Sequence, residues 1–527
     1  MADAARPWDA SWPAGVPRSI DYPSVPAWWL LERNLADHAE RIAVRHIDPP
    51  SGRELAVVTY RQLFDMAAAF ARQLQAAGIR PGDRVLLYCP NSPGLIAAYH
   101  ACWMAGAIAV ACSPQAKDEE LRLELDDSGA ATIVCAAETA ERAAAVASAA
   151  GARLAVIPPS GSVPAGALAL RQSDGEAGGW QAHRPADPRQ DVAALLYTGG
   201  TTGVPKGAML THYNVVANTL QFATWYGFET GRETCVCLLP LFHSGGFSGA
   251  MNVPVSSGAT LLLMDHLNPV TVARTIQEHR ATRFFGVPTH YIMVLEDPAA
   301  REFDLSSLKA CRTSAAPLPP AVKQRFDERV GHEVLVEGYG LTEASPLTHA
   351  NPVGRPKPGS IGLPLSDTDA RIQDGAEEGE LLVRGPQVMK GYWNKPEETA
   401  AVLREDGWLR TGDLARMDED GYFYIVDRIK DVINAAGFKV WPREVEEALY
   451  RHPAVRLAAV VGAADPLRGE SVKAYVVLKD GAAATESELI RFCRQHLSAY
   501  KVPRGVEFRT ELPISGPGKI LRRALRE

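Results

Sequence analysis

The sequence predicts an α/β fold. A large N-terminal domain is built of doubly wound βαβ subdomains plus a small β-rich subdomain, and a small α+β domain follows. Three observations predict this. Short apolar runs alternate with helical patterns from Gln62 to about Gly340, which favours parallel strands joined by crossover helices. From Ile361 to Ile425 the pattern changes to short strands separated by glycine turns, as in Gly379-Glu380-Leu381-Leu382-Val383-Arg384-Gly385. After Lys430 an amphipathic helix, two strand-like runs and a second helix make an α+β pattern.

Taken in order, Gln62 to Ala77 reads as a helix and Asp83 to Tyr88 as a strand, with the turn Gly78-Ile79-Arg80-Pro81-Gly82 between them. Leu95 to Ala111 is apolar, but it carries His100 and Gly106. It reads as a buried helix turning into the strand Ala107-Ile108-Ala109-Val110 rather than as a membrane span. A charged helix from Lys117 to Asp127, a strand over Ala131 to Val134 and an Ala/Glu-rich helix ending at Ala150 follow. Pro158 to Arg189 is rich in Pro, Gly, Ser and Asp and reads as a connector. The alternation resumes at Val192. In the C-terminal part, Pro442 to His452 and Glu486 to Leu497 read as helices, and Leu457 to Val461 and Val472 to Leu478 as strands.

Composition bounds the function. With 527 residues, 46% hydrophobic and 22% charged, the chain resembles an ordinary globular protein of several domains or subdomains. The 44 glycines and 38 prolines show no Gly-X-Y period. A net charge of -7 argues against a bulk nucleic-acid or anionic-membrane binder. The charge is uneven: residues 431–527 hold 16 Lys and Arg against 12 Asp and Glu, so the rest of the chain is the acidic part. The eight cysteines include no CxxC pair and read as small buried hydrophobes. The first residues show no basic stretch followed by an apolar one, so a cytoplasmic protein without an integral membrane segment is expected.

The most informative stretch is Tyr197-Thr198-Gly199-Gly200-Thr201-Thr202-Gly203-Val204-Pro205-Lys206-Gly207, delivered by the apolar run Leu195-Leu196. Small residues let backbone N–H groups approach phosphate oxygens, hydroxyls add donors and Lys206 adds a mobile positive charge. A Walker A loop would need Gly-Lys-Ser/Thr. Here Pro205 precedes Lys206 and Gly207 follows it, so that match fails.

Further motifs follow in order: Pro240-Leu241-Phe242-His243, Gly338-Tyr339-Gly340-Leu341-Thr342-Glu343, Thr411-Gly412-Asp413, Asp427-Arg428-Ile429-Lys430-Asp431, Gly437-Phe438-Lys439-Val440-Trp441-Pro442 and Gly518-Lys519. Together with the glycine- and threonine-rich loop they resemble the adenylate-forming superfamily: acyl- and aryl-CoA synthetases, luciferases and peptide-synthetase adenylation domains. The resemblance covers nearly the whole chain. It implies ATP-dependent conversion of a carboxylic acid to acyl-AMP and then to a thioester, with ATP, Mg2+ and CoA.

The resemblance also implies residue roles. Thr198, Gly199, Thr201, Thr202, Gly203 and Lys206 would cradle phosphates. Glu343 would hold Mg2+ and Thr342 would contact phosphate, which suits an ion that takes one or two carboxylates beside phosphate oxygens. Tyr339, between Gly338 and Gly340, would offer its ring to adenine. Asp413 would accept from the ribose hydroxyls, assisted by Arg428. Ser314, Ala315 and Ala316 match an adenine- and acyl-binding turn in which Ala315 stands where the family usually has glycine. Lys519 would neutralise the transition state of adenylation. Lys430 would be the hinge between an N-terminal domain, 1–429, and a C-terminal cap, 430–527. Gly437, Phe438, Lys439 and Trp441 would line the CoA tunnel after rotation, and His243 would gate the acyl carboxylate.

The segments Phe242 to Met251 and Phe284 to Tyr291, with the stretch after Glu343, are candidates for the acyl pocket. The first two contain no Lys or Arg, so an apolar acid is expected, a medium- or long-chain fatty acid in the first instance. The rivals are an aryl-acid–CoA ligase, an enzyme loading a carrier protein, a luciferase-type oxidoreductase and a non-catalytic nucleotide sensor. The sensor would be marked by loss of Lys519, Glu343 or Asp413, and all three are present. The expected partners are the small-molecule acid, ATP and CoA, with no nucleic acid and a homodimer as the candidate assembly.

Overall fold

The structure, a computed structural model, describes residues 6–157, 164, 166–172, 180–198, 205–435, 438–465, 469–513 and 520–526; of residues 430 and 523 it describes the backbone alone. It is an α/β protein with two large, mainly parallel sheets, a four-stranded antiparallel sheet and a C-terminal α+β unit. The alternation read from the sequence is borne out with small shifts at element ends. The first helix of the pattern is Tyr60–Ala76, the charged helix is Asp118–Ser128, and the Ala-rich helix is Ala140–Ala150. Local chemistry sets these ends. Thr59 caps Tyr60–Ala76 in a reciprocal capping box with Gln62, and Thr211 does the same for His212–Trp225 with Asn214.

The apolar run at Leu95 is the helix Pro93–Ala105, opened by Ser92 and Pro93 and closed by Gly106 at φ 80°. It is buried on every face and leads into the strand Ile108–Ala111. Among the described residues no helix is long and apolar enough to cross a membrane. All eight cysteines are free and buried, as expected.

One sheet of eight strands runs through Arg84–Tyr88, Ile108–Ala111 and Val192–Thr198, and ends on the antiparallel pair Lys206–Thr211 and Gly391–Tyr392. The other, of nine strands, has Thr234–Cys237, Arg283–Gly286, Ala310–Thr313 and Leu335–Gly340 as parallel neighbours. Leu347–Ala350 then pairs antiparallel with Leu335–Gly340. The carboxyl ends of those four parallel strands deliver the His243 segment, the Val287 segment, the Ser314 turn and Tyr339 to one edge. That edge is where open α/β sheets bind ligands. The glycine-punctuated region forms the antiparallel sheet of Asp369–Ile372, Glu378–Arg384, Leu409–Met417 and Phe423–Arg428. The C-terminal unit packs Pro442–Tyr450 and Glu486–His496 on a sheet whose long hairpin is Val455–Asp465 with Gly469–Leu478, around a core of its own.

Candidate active site

Three motifs far apart in sequence meet at the edge of the nine-stranded sheet. Asp413 and Arg428 are directly opposite in an antiparallel pair, and Arg428 Nε lies 2.6 Å from Asp413 Oδ1. The hydroxyl of Tyr339 donates to the other oxygen, Asp413 Oδ2. Asp413 is only 2% exposed, so its charge needs these partners. Burial would lower the pKa of Arg428, but the Asp413 carboxylate outweighs it and holds the guanidinium above its usual value. Burial and then Asp413 raise the Tyr339 phenol, which stays protonated and donating.

Glu343 lies in the short turn Thr342–Ala344, which follows Leu335–Gly340. Its Oε1 accepts a hydrogen bond of 2.7 Å from the hydroxyl of Tyr392. The Lys206 ammonium sits 5.4 Å from the centre of the same ring. Tyr392 therefore lies between Lys206 and Glu343. Thr198 and Lys206 are strand partners, and Thr198 Oγ1 reaches Lys206 O at 3.4 Å. Burial and the Glu343 charge push the Tyr392 phenol up, so it too remains a donor. Among the described residues no group of three or more His, Cys, Asp or Glu could hold a metal. A lone carboxylate beside a phosphate loop still fits Mg2+, which draws its remaining oxygens from phosphate and water.

Thr342 Oγ1 lies 3.1 Å from Ser244 Oγ, which ties the His243 segment to the Glu343 turn. His243 is half-buried and its Nδ1 accepts from the N–H of Gly245 at 3.2 Å. Gly340 admits no side chain, because a Cβ there would lie 1.9 Å from Pro346 O. Ala315 has φ 71°, the left-handed conformation that glycine adopts without steric cost. Its neighbours Ser314 and Ala316 complete the turn after the strand Ala310–Thr313.

The C-terminal unit is tethered around Lys430, which lies in the turn Ile429–Asp431. Asp427 Oδ2 accepts the backbone N–H of Arg443 at 2.7 Å, and Arg522 Nη1 lies 3.2 Å from Asp427 and 3.4 Å from Asp431. Arg526 adds a contact of 3.0 Å to Asp431. Phe438 and Lys439 are not brought to the nucleotide-side cluster. Phe438 is 55% exposed and stacks on Tyr500 of the same unit, and Trp441 flanks the start of Pro442–Tyr450 half-buried. Gly199, Thr201, Thr202, Gly203, Gly437 and Lys519 lie outside the described residues.

Residues 31–393 match the family model described as AMP-binding enzyme, and residues 444–519 match that of the AMP-binding enzyme C-terminal domain. The chain belongs to the AMP-binding enzyme family. It is an acid–thiol ligase of the adenylate-forming, acyl-CoA synthetase type that the motifs resemble. A long-chain-fatty-acid–CoA ligase of Bacillus subtilis (strain 168) is 40% identical, with 99% of this chain and 98% of that one covered. A feruloyl-CoA synthase of an Amycolatopsis species is 39% identical over 95% of this chain and 98% of its own. Among solved structures, ATP-bound MatB from Rhodopseudomonas palustris superposes with a TM-score of 0.84 at 30% identity, covering 95% of this chain and 98% of that one. Its apo form superposes with a TM-score of 0.75.

Three residues around this cluster carry no motif in the sequence. Tyr392 lies in a two-residue strand, and only its pairing with Lys206–Thr211 brings it to Glu343. Glu337 is buried beside Gly338, with its carboxyl pushed up to about 7 by burial against the opposing pull of Arg443. The third is Arg312. The absence of cations from the two acyl segments does not carry over to three dimensions, because Arg312, on the adjoining strand Ala310–Thr313, reaches between them. Its signal was a charge inside an otherwise apolar parallel strand, where such strands are buried on both faces.

Proposed function

We propose that this enzyme joins an acid with an apolar body, a medium- or long-chain fatty acid in the first instance, to CoA by way of acyl-AMP. The observation that carries the reading is the convergence of Lys206, Tyr392 and Glu343 beside the Tyr339–Asp413–Arg428 group. The acid carboxylate attacks the α-phosphorus of ATP and pyrophosphate leaves with the bonding pair. The CoA sulfur then attacks the acyl carbon, AMP leaves and the thiol proton passes to solvent.

Each residue answers a need of that chemistry. Both reactants of the first step are anions, so positive charge must be supplied and held. Lys206 and Lys519 supply it, with the 198–206 loop cradling phosphates. Glu343, oriented by Tyr392, would hold Mg2+, which when bound would supply charge neutralisation at the phosphates. Asp413 accepts from the ribose hydroxyls while Arg428 pairs with it, Tyr339 lies on adenine, and the Ser314–Ala316 turn faces adenine and acyl group. Ser244 anchors Thr342 and so places His243 over the carboxylate.

The two steps need different lids. The contacts of Asp427 and Asp431 on either side of Lys430 support a hinge there, between domains 1–429 and 430–527. The exposed position of Phe438 and the closer match to ATP-bound MatB support an adenylation arrangement, with the Gly437–Lys439 loop outside until rotation. The similarity to a feruloyl-CoA synthase favours an aryl acid as the second reading.

The test is AMP release from ATP and Mg2+ with a panel of fatty and aryl acids, with free CoA or a carrier protein as acceptor. CoA-dependent AMP from fatty acids supports the first reading. Release with carrier protein alone would replace CoA, and no release with any acid would overturn the ligase assignment for these substrates.

A further inference from the structure

Arg312 is 2% exposed, yet among the described residues it has no ion-pair partner and its Nε has no hydrogen-bond acceptor. An unpaired buried guanidinium is costly, and native structures rarely leave one without a function. The path of the side chain is specific. Its Cδ passes 3.2 Å from where a Cβ on Gly338 would stand, and its Nη2 ends 3.3 Å from where one on Gly249 would stand. A side chain on either glycine would crowd the arginine. Gly249 lies in the π-helical turn Gly246–Asn252, just after His243, and such turns recur at functional sites.

The surroundings of the guanidinium are aromatic. Arg312 Cζ lies 4.8 Å from the Phe222 ring centre and 5.8 Å from that of Phe285. Tyr226 packs on both rings, at 5.1 Å and 5.8 Å, and among the described residues its buried hydroxyl also has no partner. Two unpaired polar groups therefore share one aromatic wall, between the two segments the sequence marks as acyl-binding. The strand carrying Arg312 runs directly into the Ser314–Ala316 turn.

The geometry points to a distal-oxygen subsite: Arg312, with Tyr226, pairs with an oxygen acceptor on the substrate at the end remote from the carboxyl being activated. The preferred acid is then an apolar or aromatic acid ending in a second carboxylate or a hydroxyl, not in a methyl group. The planar guanidinium suits a carboxylate bidentately and a hydroxyl oxygen singly. This rests on the ligase reading and, within its acids with an apolar body, moves the preference from methyl-ended fatty acids to those with a distal oxygen.

The experiment uses the full chain with ATP, Mg2+ and CoA, and two pairs of acids matched in length: octanoate against octanedioate, and cinnamate against para-hydroxycinnamate. The expected result is a preference of about 100-fold in kcat/KM for the oxygen-bearing member of one pair, since a site built to hydrogen-bond rejects an analogue lacking the group. The pair that responds identifies carboxylate or hydroxyl. Arg312→Met should collapse that ratio toward unity and Arg312→Lys should keep part of it. If Arg312→Met melts below assay temperature, Arg312→Lys reads the same ratio. No preference in either pair, or a preference that survives the substitution, overturns the subsite. Thermal-shift binding of the same acids reads the preference without turnover. A preference in binding with no AMP release breaks the ligase reading and keeps the subsite, whereas AMP release without preference does the reverse.

Discussion

The proposed nucleotide side and the proposed acyl side of the site treat their buried charges differently. On the nucleotide side, Asp413 is held by Arg428 and Tyr339, and Glu343 by Tyr392. On the acyl side Arg312 and Tyr226 are buried without such partners among the described residues. The first arrangement is preorganised. Its donors and acceptors are aimed before ligand arrives, so little reorganisation is left for the reaction. The second is completed by what binds. On the proposed reading, groups that serve every turnover are locked by the protein, and the group that would discriminate between acids is left for the acid to satisfy.

The largest expected effect tests the preorganised side where chemistry needs charge most. Lys519→Ala should lower acyl-AMP formation by about 1,000-fold, the scale of losing a transition-state charge stabiliser. Thioester formation from supplied acyl-AMP should largely persist. Single-turnover assays of the two half-reactions check this, and equal loss in both would remove Lys519 from adenylation.

Asp413→Ala comes next. It strands Arg428 and Tyr339 together, and kcat/KM for ATP should fall by about 100-fold. A change confined to the acid's KM would show that the cluster does not serve the nucleotide. Tyr392→Phe removes one hydrogen bond to a carboxylate, so a loss of about 10-fold is expected, seen as a higher Mg2+ requirement in a metal titration. An unchanged Mg2+ dependence would mean that Tyr392 only packs.

Glu337 gives a pH signature. Its folded pKa of about 7 lies above the ordinary 4.5, so folding takes up a proton. The stability it contributes is present below the ordinary value, declines as pH rises toward 7 and is flat beyond. Glu337→Gln does not titrate. Its Tm relative to the parent should therefore climb across that window in melting curves. A difference independent of pH would contradict the burial-driven shift.

The smallest effect concerns the turn between the two sides. Ala315→Gly relieves a left-handed alanine but loosens the unfolded chain, for a net gain of about 1 kcal/mol. A Tm rise of about 2 °C is expected. A fall would show that the Ala315 methyl packs usefully.

Much of this was readable in advance where the signal was local. The βα alternation, the glycine turns of the small sheet and the capped helices follow from periodicity and caps a few residues long. The motif residues Lys206, Tyr339, Glu343, Asp413 and Arg428 are brought into one cluster, because each motif carries its own turn or strand end. Tyr392 and Arg312 carried no such local mark. Tyr392 reaches Glu343 only because Gly391–Tyr392 adds to the edge of a sheet begun far earlier in the chain. Arg312 is reached by acyl segments that individually contain no cation, and two distant glycines, Gly249 and Gly338, leave it room.

The sequence by itself determined the fold class, the order of the domains and the family chemistry, since short-range periodicity and ordered motifs encode them. Only the tertiary structure decided which charges are paired. Pairing depends on strand register and on side chains meeting across long sequence separations, and burial then multiplies the consequence of each partner present or missing. The same burial that makes the partners of Asp413 matter makes the missing partners of Arg312 matter.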